Sequence, residues 1–393
     1  MTHYNYLIIG GGMTGDAAAQ GIREVDPHGT IGLIGMEHDP PYNRPPLTKG
    51  LWKGKPLESI WRHTESRNVD MHLGCRVESI RAEQKQIVDD KGRTYTFDKL
   101  LLATGGQPRH LPFGGALIVY YRTLEDFRRL WATAEQRRRF IVVGGGFIGS
   151  EIAAGLAMNE REVTMLFPGP GICSRMFPFD LSEFLDDYYR GKGVEVLVGE
   201  SISSLERKGE SFVVRTSSQE ITADCVVAGL GIDPGVELAK QAGLEVGNGI
   251  IVDEHLRTSH PDIYAAGDVA AFYNPALDSR LRVEHEDNAN TMGRLAGRNM
   301  AGETEPYHHL PYFYSDLFEL GYEAVGDLDS RLETFADWEE PYQKGVIYYL
   351  HQGRVRGVLL WNVWGQVDSA RDLIASHQTF EREDLKGLLL AAT

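Results

Sequence analysis

Tyr6-Leu7-Ile8-Ile9-Gly10-Gly11-Gly12-Met13-Thr14-Gly15 is the stretch whose reading decides the fold. A short apolar run enters a turn with Gly10, Gly12 and Gly15 in G-x-G-x-x-G spacing, and the small residues Ala17, Ala18, Ala19 and Gly21 follow. That pattern predicts strand, turn and helix. Gly10 allows the sharp turn, Gly12 lets a pyrophosphate approach the backbone, and Gly15 lets the helix lie close to the sheet. The N–H groups and dipole at the helix start then favour the phosphates. A single glycine turn is common, but this chain carries a second copy. Phe140-Ile141-Val142-Val143 runs into Gly144-Gly145-Gly146-Phe147-Ile148-Gly149, then a helix opened by Ser150-Glu151-Ile152-Ala153-Ala154, then a strand from Glu162 to Phe167. Two such units in one chain imply two different dinucleotide ligands.

Outward from the first copy, Thr30 to Ile34 reads as the next strand, and Glu37 just beyond it is a candidate acceptor for a ribose hydroxyl. Pro40-Pro41-Tyr42-Asn43-Arg44-Pro45-Pro46-Leu47-Thr48-Lys49 comes next. Prolines at this density predict a rigid, extended loop without helix, carrying Arg44 and Lys49 as cations suited to a dinucleotide. Residues 71 to 97 read as short strands with a turn at Asp89-Asp90-Lys91-Gly92. Lys99 to Leu102 is a buried strand ending in the small residues Ala103, Thr104, Gly105 and Gly106, which let a ligand come close to backbone.

Outward from the second copy, the strand ends at Phe167-Pro168-Gly169 and not in an acid. The usual ribose acceptor for NAD is therefore missing. Arg175 downstream suits a 2′-phosphate, an adenine face or solvent, so NADH and NADPH both stay open. Asp224 to Gly231 and Asp262 to Val269 are two more buried strands with glycine ends. The second places Asp268 directly after Gly267, where a carboxylate can accept from a ribityl hydroxyl. Val283-Glu284-His285-Glu286-Asp287-Asn288-Ala289 begins a helix carrying Met292 and Leu295. From Pro311 the chain turns aromatic, a hairpin is expected around His351-Gln352-Gly353, and a helical stretch begins near Ser369.

Composition bounds the function. A chain of 393 residues with 42% hydrophobic residues is an ordinary multidomain globular protein. The net charge of −16 argues against nucleic acid and works against acidic protein partners. The start of the sequence lacks the pattern of a signal peptide and no run approaches a membrane span, so a cytoplasmic location is expected. The three cysteines, Cys75, Cys173 and Cys225, form no C-x-x-C pair. Neither a redox dithiol nor a metal site is expected.

The two glycine fingerprints, Leu102-Ala103-Thr104-Gly105 and Ala265-Ala266-Gly267-Asp268 together resemble the pyridine nucleotide–disulfide oxidoreductase superfamily. Pro41 to Lys49 is similar to its ferredoxin reductase branch. Tyr312-Phe313-Tyr314-Ser315-Asp316, Gly321 to Gly326, Lys344 to Leu350 and Leu360-Trp361-Asn362 resemble the apoptosis-inducing factor family. The resemblance implies an α/β fold of two Rossmann-like dinucleotide-binding domains in a glutathione reductase-like architecture, with a C-terminal α+β interface or dimerisation domain. The expected divisions are residues 1–118 and 233–310 for FAD, 119–232 for NAD(P)H and 311–393 for the interface domain. It implies FAD contacts from Gly10, Gly12, Met13, Thr14, Gly15, Glu37, Arg44, Lys49, Val77, Ala103, Thr104, Gly105, Arg122, Gly267, Asp268, Glu284, His285 and Tyr314. For NAD(P)H it implies Gly144, Gly146, Phe147, Ile148, Gly149, Glu151, Arg175, Gly231, Glu284 and His285. It implies a catalytic role for Lys49, near flavin N5 in that family, and for Glu151, which pairs with it. Tyr314 stands where relatives usually have tryptophan, and Gly169 where an acid contacts the NAD ribose.

The resulting expectation is an FAD-dependent NAD(P)H oxidoreductase, monomeric or homodimeric. Its electrons pass to an unidentified acceptor: a small electron-carrier protein of ferredoxin or rubredoxin type, a quinone or dioxygen. The alternative is a redox-sensing interaction protein with slow turnover and reduction-linked oligomerisation. A disulfide reductase is rejected because Asn43 and Arg44 occupy the loop where its thiol belongs.

Overall fold

A computed structural model describes residues 1–390. The Tyr6–Ile9 run lies in the strand Thr2–Ile9, central in a sheet because its last residues are apolar on both faces. It pairs in parallel with Ile31–Ile34 on one side and Thr94–Leu102 on the other, with Ile8 opposite Leu33 and Leu101. Val69–His72 extends the sheet at one edge. On the other side of Thr2–Ile9 the long strand Thr94–Leu102 divides its partners. Its first half pairs antiparallel with Gln86–Asp89, and its last three residues pair in parallel with Ile263–Ala265. Leu7, Ile8, Leu33, Leu100, Leu101 and Ile263 form the fully buried core of this layer.

The chain divides into two compact units. The first comprises 1–43, 58–107 and 233–312; the second comprises 44–57, 108–232 and 313–393. In the first, the helix Met13–Val25 crosses Glu286–Met300 at backbone contact. A Cβ on Gly21 or Gly297 would overlap the carbonyl oxygen of Arg294 or Ala18, and one on Gly293 would lie 2.5 Å from that of Thr14. Only glycine allows helices to approach this closely.

In the second unit a five-stranded parallel sheet runs in the order Val194–Val198, Glu162–Phe167, Arg139–Val143, Cys225–Ala228, Ile118–Tyr120. The helix Phe147–Met158 joins Arg139–Val143 to Glu162–Phe167 and repeats the strand–turn–helix–strand of the first unit. The C-terminal residues form a five-stranded sheet, followed by the helix Val367–Ala375. Its Lys344–His351 and Arg354–Trp361 hairpin is antiparallel. The fold class is thus mixed α/β with Rossmann-like parallel sheets and a C-terminal antiparallel sheet, as the sequence predicts.

Three features depart from the sequence-based expectation. The proline stretch Pro40–Lys49 is not extended throughout: Pro45–Leu47 is a 3-10 helical turn, and a second, Gly50–Lys53, follows the stretch. Proline at the first positions of a helical turn has its φ preset, and its missing N–H would have had no partner there. The second glycine helix opens at Phe147, not Ser150. Residues Ile202–Lys208, Ser211–Thr216 and Glu220–Ala223 form a separate three-stranded antiparallel sheet that the sequence does not announce.

Candidate active site

The two glycine loops have the same backbone. Gly10 and Gly144 have φ of +128° and +121°. Gly12 has φ −92° and ψ −169°, and Gly146 has −90° and −168°. A Cβ on Gly10 would overlap the Ala103 carbonyl oxygen, and one on Gly144 would overlap that of Gly229. Gly15 and Gly149 lie against the carbonyl oxygens of Gly10 and Gly144 in the same way. A Cβ on Gly12 or Gly146, by contrast, would meet nothing within 4 Å. Each of these two residues caps its helix with no side-chain hydrogen bond. The first and fourth glycines of each loop are thus required by the protein's own packing. The middle one faces open space at a helix N-terminus, which suits the pyrophosphate of a dinucleotide.

In the first unit, Gly267 packs against the Thr14 side chain, so that a Cβ there would overlap it. Thr104 Oγ1 donates to the Gly235 carbonyl at 2.7 Å, and Gly105 takes φ +60°. Arg282 joins Asp268 to Glu284 by donating to the Asp268 carbonyl at 3.0 Å and pairing with the Glu284 carboxylate at 2.7 Å. His285 caps the helix Glu286–Met300, and Val77 is buried in its strand. Glu37 accepts from the Tyr42 hydroxyl at 2.6 Å. Met13 is buried in the first turn of its helix. Asp16, in that same turn, is a buried hub that no sequence motif marks. It accepts from Arg62 at 2.7 Å, Arg67 at 2.9 Å and Thr64 at 2.5 Å.

In the second unit, Arg44 donates to the Arg122 carbonyl at 2.9 Å. Lys49 and Glu151 come together: Nζ lies 2.6 Å from Oε1, with Glu151 only 4% exposed. Lys49 Nζ also lies 5.3 Å from the centroid of the Tyr314 ring. The loop carrying Lys49 is pinned at Leu47, whose carbonyl accepts from Trp52 Nε1 at 2.9 Å and from the Tyr121 hydroxyl at 2.5 Å. Trp52 packs over Gly155, on the same helix as Glu151, where a side chain would crowd its ring. Two further hydroxyls reach Glu151. Ser315 Oγ donates to Oε1 at 2.5 Å, and Thr48 Oγ1 makes a short bond to Oε2. Their neighbours Lys49 and Tyr314 stand out in the sequence; no spacing in the chain reveals that both hydroxyls converge on one carboxylate.

Phe147 meets Phe313 edge-on at 5.1 Å, and Ile148 stands partly exposed beside it in the helix start. Gly231, with φ +82°, accepts from the Arg109 backbone N–H at 2.9 Å. Arg175 is exposed in the loop after Glu162–Phe167. The three cysteines are free and buried. Burial pushes the thiols of Cys173 and Cys225 up to about 12 and, with the Asp89 hydrogen bond, that of Cys75 to about 11. Thiols held so far above neutral pH are poor nucleophiles. Among the described residues no helix is long and apolar enough to cross a membrane.

Residues 4–293 match the family model for pyridine nucleotide-disulphide oxidoreductases, and residues 296–340 and 336–376 match that for the C-terminal region of mitochondrion-associated apoptosis-inducing factor. The chain is 34% identical to apoptosis-inducing factor 1 of Dictyostelium discoideum, over 96% of this chain and 79% of that protein. It is 32% identical to the 5,5'-dehydrodivanillate O-demethylase ferredoxin reductase subunit of Sphingobium sp., over 98% and 96%. The crystal structure of the covalent putidaredoxin reductase–putidaredoxin complex superposes with a TM-score of 0.91 at 29% identity, covering 100% of this chain and 99% of that one. The chain belongs to the pyridine nucleotide–disulphide oxidoreductase family and is a ferredoxin-reductase-like NAD(P)H oxidoreductase.

Proposed function

We propose that the chain holds FAD on the Gly10–Gly15 loop, takes hydride from NAD(P)H held on the Gly144–Gly149 loop, and passes the electrons to a small electron-carrier protein. The observation that carries this reading is the Lys49–Glu151 pair, whose carboxylate is buried on the helix that the second loop opens. FAD, when bound, supplies the conversion of a two-electron hydride into transferable single electrons.

The chain's residues fit that group. The open space at Gly12, the uncapped helix start and the close contacts of Gly10, Gly15 and Gly267 make a cradle that a side chain would fill. In this assignment Met13 and Thr14 complete the phosphate turn, and Glu37 accepts from the ribose. Ala103, Thr104 and Gly105 keep the strand end small, and Asp268 accepts from the ribityl chain. Val77, Glu284, His285, Arg44, Arg122 and Tyr314 complete the FAD set. Gly146, Phe147, Ile148, Arg175 and Gly231 belong to the nicotinamide nucleotide. Lys49 supplies a fixed cation for charge that develops during hydride transfer, and Glu151 holds it there.

The acceptor is proposed from the relatives, one named as a ferredoxin reductase subunit and one crystallised with putidaredoxin. The test is an acceptor panel under anaerobic conditions, with the reconstituted flavoprotein and NADH or NADPH. Iron–sulfur and rubredoxin-type carriers are expected to outpace quinones at equal concentration. Turnover with quinone or dioxygen alone would contradict the assignment. The C-terminal match to apoptosis-inducing factor favours a second reading, a redox-sensing interaction protein. Its mark would be a change of mass on reduction in light scattering.

A further inference from the structure

The Glu151 carboxylate is more fully bound than a lysine partner alone requires. It is 4% exposed, and the two hydroxyl residues on it, Thr48 and Ser315, are 7% and 1% exposed. Oε1 accepts from Lys49 Nζ at 2.6 Å and from Ser315 Oγ at 2.5 Å, while Oε2 takes Thr48 Oγ1. The three donors arrive from different stretches: the proline loop supplies Thr48 and Lys49, and the strand Tyr312–Leu317 supplies Ser315. Among the described residues the Thr48 hydroxyl has one other partner, the Pro45 carbonyl at 3.3 Å, a long contact beside the short one to Glu151.

A lysine side chain has four rotatable stem bonds and keeps a point charge in place only if its partner does not move. A carboxylate bonded by one cation can swing about its own terminal torsion, which is broad and nearly two-fold. With a hydroxyl fixed on each oxygen, that torsion is closed. The cost of burying an anion is met by charge-assisted hydrogen bonds, about twice as strong as neutral ones. The ammonium then sits in one position, 2.6 Å from Oε1 and 5.3 Å from the Tyr314 ring centroid.

We propose that Thr48 and Ser315 are positioning residues: their hydroxyls lock the Glu151 carboxylate, and through it they fix the Lys49 ammonium. This inference rests on the assignment of Lys49 and Glu151 to hydride transfer, but its test does not depend on that assignment. Thr48→Val and Ser315→Ala remove one hydroxyl each while nearly keeping volume. Thr48→Ser and Ser315→Thr keep the hydroxyl.

The first measurement is the rate of reductive methylation of Lys49, followed by peptide mass spectrometry in the FAD-loaded protein without nicotinamide. The exposed Lys240 serves as internal reference. In Thr48→Val and Ser315→Ala, Lys49 is expected to label roughly tenfold faster relative to Lys240, the size of one charge-assisted hydrogen bond. The hydroxyl-keeping variants should label as wild type. The second measurement is anaerobic reduction of the flavin by NAD(P)H. In the two deletion variants the limiting rate should fall about tenfold with the nicotinamide dissociation constant unchanged, and the hydroxyl-keeping variants should restore it.

Wild-type labelling of Lys49 in both deletion variants would overturn the proposal, as would loss of protection in the hydroxyl-keeping variants. Faster labelling with an unchanged reduction rate would leave the lock standing and remove Lys49 from hydride transfer, so that the two claims fail separately.

Discussion

At the scale of single residues, we propose that the choice of electron donor rests on the loop after the strand Glu162–Phe167. In that proposal Gly169 takes the place of an acid that would accept from the ribose of NAD, and Arg175 in the same loop is exposed. Gly169 does not use a left-handed backbone, and a Cβ there would lie 3.1 Å from the Ser174 hydroxyl, which can rotate away, with the Gly171 carbonyl and the Phe167 ring at an ordinary 3.9 Å. Gly169→Glu is therefore expected to fold. It should raise the preference for NADH over NADPH by about tenfold, since a carboxylate accepts from a 2′-OH and repels a 2′-phosphate. The ratio of reduction rates at low NADH and NADPH concentration measures it; an unchanged ratio would move donor selection elsewhere. What the sequence made legible here was the strand and the Phe167-Pro168-Gly169 end that carries the proposal. The hydroxyls of Thr48 and Ser315 and the Asp16 hub were not legible, because each depends on contacts between stretches tens to hundreds of residues apart.

At the scale of elements, the glycine loops separate glycines that the protein's own packing requires from glycines that face open space. In each loop the outer glycines touch the protein's own carbonyls, while Gly12 and Gly146 face open space with ordinary negative φ. Gly12→Ala is therefore expected to keep apoprotein stability within about 1 kcal/mol while weakening FAD by tenfold or more. Gly146→Ala should keep FAD and weaken NAD(P)H alone. Urea unfolding of the apoproteins and titration of each nucleotide check both halves of the prediction. Loss of NAD(P)H binding in Gly12→Ala with FAD retained would reverse the assignment of the two loops.

The loops, their strands and the C-terminal hairpin could be read from local signals because each is a short apolar run bounded by glycine. The turn at Pro45–Leu47 could not, since proline density reads as extended chain unless the partners of the turn are known. The antiparallel sheet formed by Ile202–Lys208, Ser211–Thr216 and Glu220–Ala223 has partly exposed, charged strands whose pattern carries little periodicity.

At the scale of the whole molecule, the acid limb of stability has an identifiable contributor. Hydrogen bonds from the Arg139 guanidinium hold the Asp224 carboxyl well below the usual carboxylate range against the opposing effect of burial, with help from the backbone N–H groups of Arg139 and Arg138. A group whose folded pKa lies below its unfolded value of about 3.9 stabilises fully above that value and loses the contribution as pH falls towards its folded pKa. Asp224→Asn should therefore lower the melting temperature at neutral pH and flatten its decline below about pH 4. An acid limb parallel to wild type would assign the loss to other carboxylates.

The central claim is that two copies of one loop serve two nucleotides, joined in function by a lysine paired with a buried glutamate. Its most direct test is anaerobic stopped-flow mixing of the FAD-loaded protein with NADH and, in parallel, NADPH, for wild type, Lys49→Met and Glu151→Gln. The predicted result is bleaching of the flavin band in wild type by at least one donor. In both variants it should be slowed by roughly 10²-fold with FAD still bound. Absence of bleaching by either donor in wild type, or wild-type rates in both variants, would contradict it.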